Sequence, residues 1–188
     1  VSVSRDRVIS LWRLEDCKLI NTVTSYESME ALVVLARDAP VVRERWPGHI
    51  GDIVLTGGER GVLRAFDTCL KTDQGANLFS EPSSDHVHGI DYMLANTSRD
   101  ELIVITNDQN IAIYSLNTLT RTRVITGFND EVIDMAYLDQ GQSLVAATNS
   151  AQLRVYRLAD WSTQLLTGHT DTVLALDTSP CGRFIASA

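Results

Sequence analysis

Short runs of alternating apolar and polar residues that end in an aromatic side chain recur along the chain. Four segments have this pattern, residues 6–12, 61–66, 110–114 and 152–156, and they end in Trp12, Phe66, Tyr114 and Tyr156. Strict alternation is typical of β-strands, because successive side chains point to opposite faces. Residues 27–36 come nearest to a helical stripe, but their apolar run favours a buried strand. The pattern therefore predicts an all-β fold.

The remaining apolar runs fill the intervals between these aromatic residues with further short strands. The predicted strands are 18–23, 29–35, 52–56 and 62–66; 77–79, 89–94, 102–106 and 111–114; 121–125, 132–138, 143–148 and 153–156; and 164–166, 173–178 and 184–187. They form three sets of four and the start of a fourth. The last two aromatic residues, Tyr114 and Tyr156, lie 42 residues apart, which is typical of a four-stranded propeller blade of about 40–45 residues.

The final residues carry the most specific sequence signal. Gly168-His169 opens an apolar strand, the turn 179–182 follows, and a second strand ends in Ser187. This stretch resembles the first half of a WD repeat, and residues 127–132 match 168–173 position by position with Phe128 in place of the histidine. Residues 25–28 are a weaker copy, with Tyr26 at that place. The resemblance implies a WD40 β-propeller, here a piece of about three complete blades and two partial ones, cut at both ends.

In a well-formed WD blade, a histidine, a serine or threonine, an aspartate and a tryptophan form a buried hydrogen-bonded chain. The candidates here are His169, Ser187, Asp6, Trp12 and Asp108. The acid and the tryptophan that would complete the chain of His169 are expected past the end of the sequence. We therefore expect no blade to assemble the full network, and expect hydrophobic packing to hold the middle blades.

Composition and charge narrow the classes of function. The chain has 188 residues and a formal net charge of −8, which disfavours non-specific binding to phosphate backbones. Its longest apolar run, residues 31–36, is far shorter than the roughly 18 residues of a membrane span. We find no signal-peptide pattern. Cys17, Cys69 and Cys181 are odd in number and widely spaced, which favours a reducing compartment.

The sequence offers little catalytic chemistry. The two histidines of Asp85-His86-Val87-His88 could converge on a metal from one strand face, but no third ligand is near, so a solvated loop is favoured. The glycine-rich residues 57–61 lie between two strands and predict a hairpin turn, not a phosphate site. We therefore predict no catalytic residue, no cofactor and no metal, and regard an enzyme as the weakest of three hypotheses.

The largest insertion, residues 37–51, contains the interface candidates Arg43, Arg45 and Trp46. Tryptophan and arginine are enriched at interface hot spots. The alternative is a variable surface loop with Trp46 packed against its blade, and the sequence does not separate the two. The short basic run Arg121-Thr122-Arg123 could touch RNA, but it is more typical of a solvated strand face.

One family resemblance covers nearly the whole chain and is most specific over residues 148–177. There, Asn149-Ser150 precedes a strand and residues 173–177 follow Gly168-His169, and the blade pattern demands neither. These residues resemble the transducin-beta-like 3 family, WD-repeat subunits of the small-subunit processome that associate with U3 snoRNA.

The resemblance implies a scaffold without catalytic residues. It implies two tandem propellers with a junction for which residues 160–166 are one candidate, and a place in a nucleolar complex that supports U3-dependent pre-rRNA processing and 18S rRNA maturation. The implied partners are other WD-repeat proteins, the U3 particle and pre-rRNA, with no membrane and no small-molecule substrate. The alternative function is a WD-repeat reader of a peptide or phosphopeptide, which predicts an arginine cluster on the top face.

Overall fold

The computed structural model describes residues 1–69, 77–82, 88–126 and 131–188. Its strands are short and antiparallel, and consecutive strands pair with each other. The chain divides into two compact units, residues 1–125 and residues 126–188. Each unit has a hydrophobic core of its own.

The first unit contains three sheets in its described residues. The first sheet has β1 (Ser2–Val3), β2 (Val8–Arg13) and β3 (Lys18–Thr24). The second has β4 (Met29–Leu35), β5 (Ile53–Gly58), β6 (Val62–Asp67) and β7 (Asn77–Pro82), and a helix, α1 (Pro40–Arg45), lies between β4 and β5. The third has β8 (Ile90–Asn96), β9 (Glu101–Thr106), β10 (Ile111–Ser115) and β11 (Arg121–Ile125).

The second unit contains one four-stranded sheet and one strand pair in its described residues. The sheet has β12 (Val132–Leu138), β13 (Ser143–Thr148), β14 (Gln152–Arg157) and β15 (Thr163–Thr167). A short 3-10 helix, Asp139–Gly141, links β12 to β13. The pair has β16 (Leu176–Thr178) and β17 (Ile185–Ser187).

These sheets are the blades that the sequence predicts. Over the described residues, three sheets have four strands and two are shorter, as the repeat count predicts. Within the first unit β4 and β8, the first strands of their sheets, lie side by side and β4 also contacts β1, and within the second unit β12 contacts β16. Four-stranded meanders with neighbouring first strands are the architecture of propeller blades, so the predicted WD40 β-propeller fold, in part, is confirmed.

The predicted assignment of strands to sheets is wrong by one strand. The sequence pattern groups residues 18–23 with the strands that follow, yet β3 is the last strand of the first sheet and pairs with β2, with Trp12 opposite Leu19. Because a tight turn after Arg13 reverses the chain, β3 returns antiparallel to its predecessor, and the following link crosses to the next sheet. β7, β11 and β15 close their sheets in the same way. Each sequence repeat therefore straddles two sheets.

In the three four-stranded sheets, the second strand is the most deeply buried. Every residue of β5 and of β13 is buried, and Leu102, Ile103 and Val104 of β9 are fully buried. Burying one such side chain stabilises the fold by about 1.5–3 kcal/mol. The core of the first unit also includes Val42 and Trp46 from the insertion between β4 and β5.

The glycines near the β5–β6 hairpin have different roles. Gly61 lies in the turn with φ of +65°, as the predicted hairpin requires. Gly57 and Gly58 instead end β5. A Cβ on Gly58 would overlap the carbonyl oxygen of Ser28, so this glycine permits close approach of the link between β3 and β4.

Candidate functional site: hydroxyl networks and the turn surface

A hydroxyl side chain stands at a corresponding place in every sheet of the described chain; it is exposed in the first sheet and buried or half-buried in the others. Ser2 lies ten residues before Trp12 and Thr56 ten before Phe66, while Thr106 and Thr148 lie eight before Tyr114 and Tyr156. Ser187 is the matching residue of β17. In the first four sheets, the strand that carries the hydroxyl pairs with the strand that carries the aromatic residue. What each hydroxyl contacts differs from sheet to sheet.

In the first sheet the tryptophan candidate meets its hydroxyl. Trp12 Nε1 donates to Ser2 Oγ at 2.9 Å. Asp6, the acid candidate, accepts the backbone N–H of Val8 at 3.0 Å and so caps its own turn. The sequence prediction named Trp12 and Asp6 but not Ser2, although the ten-residue spacing could have identified it.

The third sheet assembles a histidine–acid–hydroxyl chain. Thr106 Oγ1 donates to Asp108 Oδ1 at 2.5 Å, and Asn110 Nδ2 donates to Asp108 Oδ2 at 2.7 Å. His88 Nε2 lies 3.4 Å from the same Oδ2. Burial raises the pKa of Asp108, but the bonds from Thr106 and Asn110 and the charge of His88 outweigh it, so the pKa is lowered.

These contacts add detail to two expectations from the sequence. The His88 side chain is 41% exposed and lies in the link before β8, as a solvated loop implies, and it also lies beside Asp108. The described residues of this sheet do not assemble the full network with a tryptophan, but the sheet adds polar contacts to its hydrophobic packing. Asp85 and His86 lie outside the described residues, as does the repeat start at Phe128. In the part of the chain that is described, no three His, Cys, Asp or Glu side chains converge as a metal site.

In the second unit, each hydroxyl contact joins only two side chains. His169 Nε2 and Ser187 Oγ lie 2.8 Å apart, so the structure brings together the two candidates that the sequence placed in one chain. In the four-stranded sheet, Thr148 Oγ1 and Ser150 Oγ lie 2.9 Å apart.

The second sheet replaces the histidine chain with a buried ion pair. Glu27 Oε1 lies 3.5 Å from Arg64 Nε, with side-chain exposures of 1% and 12%. Glu27 Oε2 also accepts the backbone N–H of Arg60 at 2.6 Å. Thr56 Oγ1, the hydroxyl of this sheet, is buried without a hydrogen-bond partner among the described residues. Sequence reasoning missed Glu27 and Arg64, because a carboxylate next to Tyr26 has no place in the usual repeat.

The insertion between β4 and β5 folds back onto its sheet. Trp46 is 7% exposed and packs into the core, which is the packed alternative for this residue. Arg43 is exposed and Arg45 is half-buried. Asp67 accepts the backbone N–H groups of Ile50, Gly51 and Cys69. Burial raises the pKa of Asp67. The three backbone hydrogen bonds and the charge of His49 lower it by more, so the net shift of the pKa is downward.

The first unit has a cleft of about 760 Å³ that is open to solvent. Half of its lining residues are apolar, Val1, Leu11, Ile20 and Val34, and half are polar, Asn21, Asp52, Thr68 and Cys69. The described residues contain no helix with the length and apolar character needed to cross a membrane.

Comparison with known proteins agrees with this geometry. Residues 161–188 match the family model "WD domain, G-beta repeat". The chain is 31% identical over 191 residues to transducin beta-like protein 3 of Mus musculus and 31% identical over 188 residues to that of Homo sapiens. It is 32% identical over 194 residues to the protein of Bos taurus. All of this chain is covered in each case, but it spans only 23% of the length of these relatives. The chain thus carries a WD-repeat match at its end and is similar over its whole length to part of transducin beta-like protein 3.

Proposed function

We propose that the chain acts as a non-catalytic WD-repeat scaffold of the nucleolar small-subunit processome, where it supports U3-dependent pre-rRNA processing and 18S rRNA maturation. The observation that carries the proposal is the whole-length similarity to transducin beta-like protein 3. The four-stranded blades support a role in protein interaction, since rigid propellers present their loops to partners.

The electrostatics of the described residues favour a scaffold over an enzyme. The carboxylates whose pKa is lowered, Asp67, Asp108 and Asp160, accept hydrogen bonds from their own turns or from the strand ends beside them. Catalytic sites instead gather perturbed groups in one cleft. Each of these three aspartates stabilises a different turn.

The proposed partners are other WD-repeat proteins of the processome, with the U3 particle and pre-rRNA reached through the complex. The net charge of −8 favours protein contacts over direct contact with RNA phosphates. The proposed location is the nucleolus. A junction between two tandem propellers near residues 160–166 remains a prediction; these residues include the start of β15, inside the second unit.

The test removes residues 1–188 from the full-length protein in cells depleted of the natural copy. We expect loss of U3 snoRNA from the affinity-purified protein and failure of 18S rRNA to accumulate in pulse-labelling, whereas intact protein restores both. Limited proteolysis checks that the remaining protein stays folded. Normal U3 association together with normal 18S maturation in the deleted protein would refute the proposal.

A second candidate function, a reader of a peptide, is favoured by one observation. Four arginines contact the segment around the exposed Tyr26: Arg64 stacks on the ring, Arg5 pairs with Glu30, and the backbones of Arg7 and Arg60 bond to Ser25 and Glu27. This is the type of arginine cluster that a peptide reader requires. A pull-down of full-length protein with immobilised peptides of acidic, phosphorylated and neutral sequence tests it, and equal retention of all three would exclude it.

A further inference from the structure

Three turns of the first unit meet at one end of its first two sheets. The Ser25 N–H donates to the Arg7 carbonyl at 2.7 Å, and the Glu59 N–H donates to the Ser28 carbonyl at 3.2 Å. The Met29 N–H donates to the Ser4 carbonyl at 3.4 Å. These bonds tie the turn before β2, the link between β3 and β4, and the β5–β6 hairpin to each other. The surface that they form is therefore fixed before any partner arrives, which lowers the ordering cost of binding.

Tyr26 stands at the centre of this surface. It is 73% exposed, and the guanidinium carbon of Arg64 lies 5.7 Å from its ring centroid. A cation at that distance is attracted to the ring. Arg64 is itself held beside the buried carboxylate of Glu27. The ring is thus supported from beneath, and most of its surface is open for a partner.

The arginines around Tyr26 differ in whether they pair with a carboxylate of the described residues. Arg5 pairs with Glu30 at 2.8 Å and Arg64 with Glu27. Arg7 and Arg60 are exposed, and among the described residues neither side chain has a carboxylate partner. Their backbones lie beside the segment that carries Tyr26, since the Arg7 carbonyl accepts the Ser25 N–H and the Arg60 N–H donates to Glu27. Two guanidinium groups on neighbouring turns are therefore available for a carboxylate.

The rim of the surface also carries acids, and these decide the class of partner. Asp6, Glu30 and Glu59 are exposed at the same turns, so a continuous phosphate backbone would meet repulsion there. A peptide can place its carboxylates at the two arginines and avoid the acids. Tyrosine with arginine is also the combination found at hot spots of protein interfaces.

We propose that Arg7, Tyr26 and Arg60, supported by Glu27 and Arg64, form a docking site for an acidic segment of a partner protein. This site is called the Tyr26 surface below. An apolar side chain of the segment packs on the ring of Tyr26, and neighbouring Asp or Glu side chains pair with Arg7 and Arg60. The proposal rests on the protein-interaction role argued above and specifies where one partner binds.

A photo-crosslinking experiment on the full-length protein tests the site in cells. The photoreactive residue p-benzoylphenylalanine is placed at position 26, and at position 184 as a matched control. Phe184 is also exposed, at 65%, with the guanidinium carbon of Arg183 5.6 Å from its ring centroid. We expect position 26 to crosslink to one protein segment that contains Asp or Glu, as read by mass spectrometry, at a yield about tenfold above that of position 184. Crosslinks to RNA alone, to segments without acids, or at the yield of the control would overturn the proposal.

A binding measurement then tests the role of each charge. The crosslinked segment is synthesised with a fluorescent label, and its affinity for full-length protein is measured by fluorescence polarisation. Reversing both charges, Arg7→Glu with Arg60→Glu, should weaken binding at least about tenfold, and the matched change of both arginines to lysine should retain most of it. Unchanged affinity after charge reversal would refute the site.

The two proposals fail in different ways. If the deleted protein loses U3 and 18S maturation but position 26 gives no specific crosslink, the Tyr26 surface is wrong and the scaffold role stands. If the deletion has no effect on U3 or 18S and position 26 still captures an acidic segment, the surface serves a different complex.

Discussion

The second and third sheets of the first unit have the same strand order but stabilise the same position by different chemistry. Thr56 and Thr106 both lie in the second strand of their sheet, toward its end, with exposures of 0% and 8%. Thr106 donates to Asp108, which is also held by Asn110 and lies beside His88. Thr56 has no hydrogen-bond partner among the described residues, and the Glu27–Arg64 pair lies in its sheet instead.

The two solutions link the same parts of a blade. In the third sheet the link runs from His88, two residues before β8, through the β9–β10 turn to the end of β9. In the second sheet it runs from Glu27, two residues before β4, to β6, where Arg64 lies opposite Thr56 in the register. Both blades therefore connect the entry loop to the middle strands, and they do so by different chemistry.

The chemical type does determine how each sheet responds to damage. A buried ion pair carries a large desolvation cost that only the partner's charge offsets. When one member of a hydrogen-bonded group at a partly exposed carboxylate is removed, the fold loses less stability than when a buried ion pair is broken. The second sheet should thus be the more sensitive to single substitutions and the more tolerant of paired ones.

The largest effect should come from Glu27→Ala, which leaves the Arg64 guanidinium buried without its counter-charge. Removing one partner of a buried pair costs about 3–5 kcal/mol. We expect the free energy of unfolding of the first unit to fall by that order in guanidinium titrations followed by tryptophan fluorescence. The double variant Glu27→Leu with Arg64→Met should recover most of the loss, because two apolar side chains replace both charges. A double variant as unstable as the single one would contradict the ion-pair interpretation.

The two threonines give a matched pair of smaller changes. Thr106→Val removes a donor to the Asp108 carboxylate and should cost about 1.5–3 kcal/mol, as for hydrogen bonds to charged groups. Thr56→Val removes a hydroxyl that makes no hydrogen bond to the described residues, so it should be neutral or slightly stabilising. Hydrogen exchange of β5 and β9 amides measures both locally. Equal losses at the two positions would show that Thr56 is satisfied in solution and that the two sheets do not differ.

The sequence predicts the blades well because alternation, β-branched runs and aromatic spacing are local signals. It misassigns β3 to the following sheet because pairing is set by which strand the chain turns back upon, and the repeat pattern does not contain that information. Ser187 with His169 could be predicted from the motif, and Thr106 from its spacing to Tyr114. Glu27 with Arg64 could not, since their approach depends on how the link before β4 packs against β6.

The pH dependence of stability separates the two sheets further. The pKa of Asp108 is lowered in the folded state: burial raises it, but the bonds from Thr106 and Asn110 and the charge of His88 outweigh that effect. A carboxylate with a lowered folded pKa stabilises the fold above its unfolded pKa, about 3.9, and this contribution disappears as pH falls through the folded value. Because the group is partly exposed, the effect should stay below about 1 kcal/mol. The stability difference between wild type and Asp108→Asn should therefore shrink from about pH 6 to about pH 3. Thr56→Val should leave that pH profile unchanged, and a pH-independent difference for Asp108→Asn would argue against the hydrogen-bonded carboxylate.

The smallest expected effect belongs to Tyr26→Ala. The ring is 73% exposed, and its contact with Arg64 is worth about 0.5–1 kcal/mol at such a site. The Glu27–Arg64 pair remains in this variant, so unfolding should shift by no more than that amount, several times less than for Glu27→Ala. The same denaturant titration measures it. Because stability is nearly unchanged while the Tyr26 surface loses its central ring, this variant separates the two roles of the second sheet. A loss as large as that of Glu27→Ala would mean that Tyr26 shields the ion pair from water, and the ring would then belong to the core of the blade instead of to its binding surface.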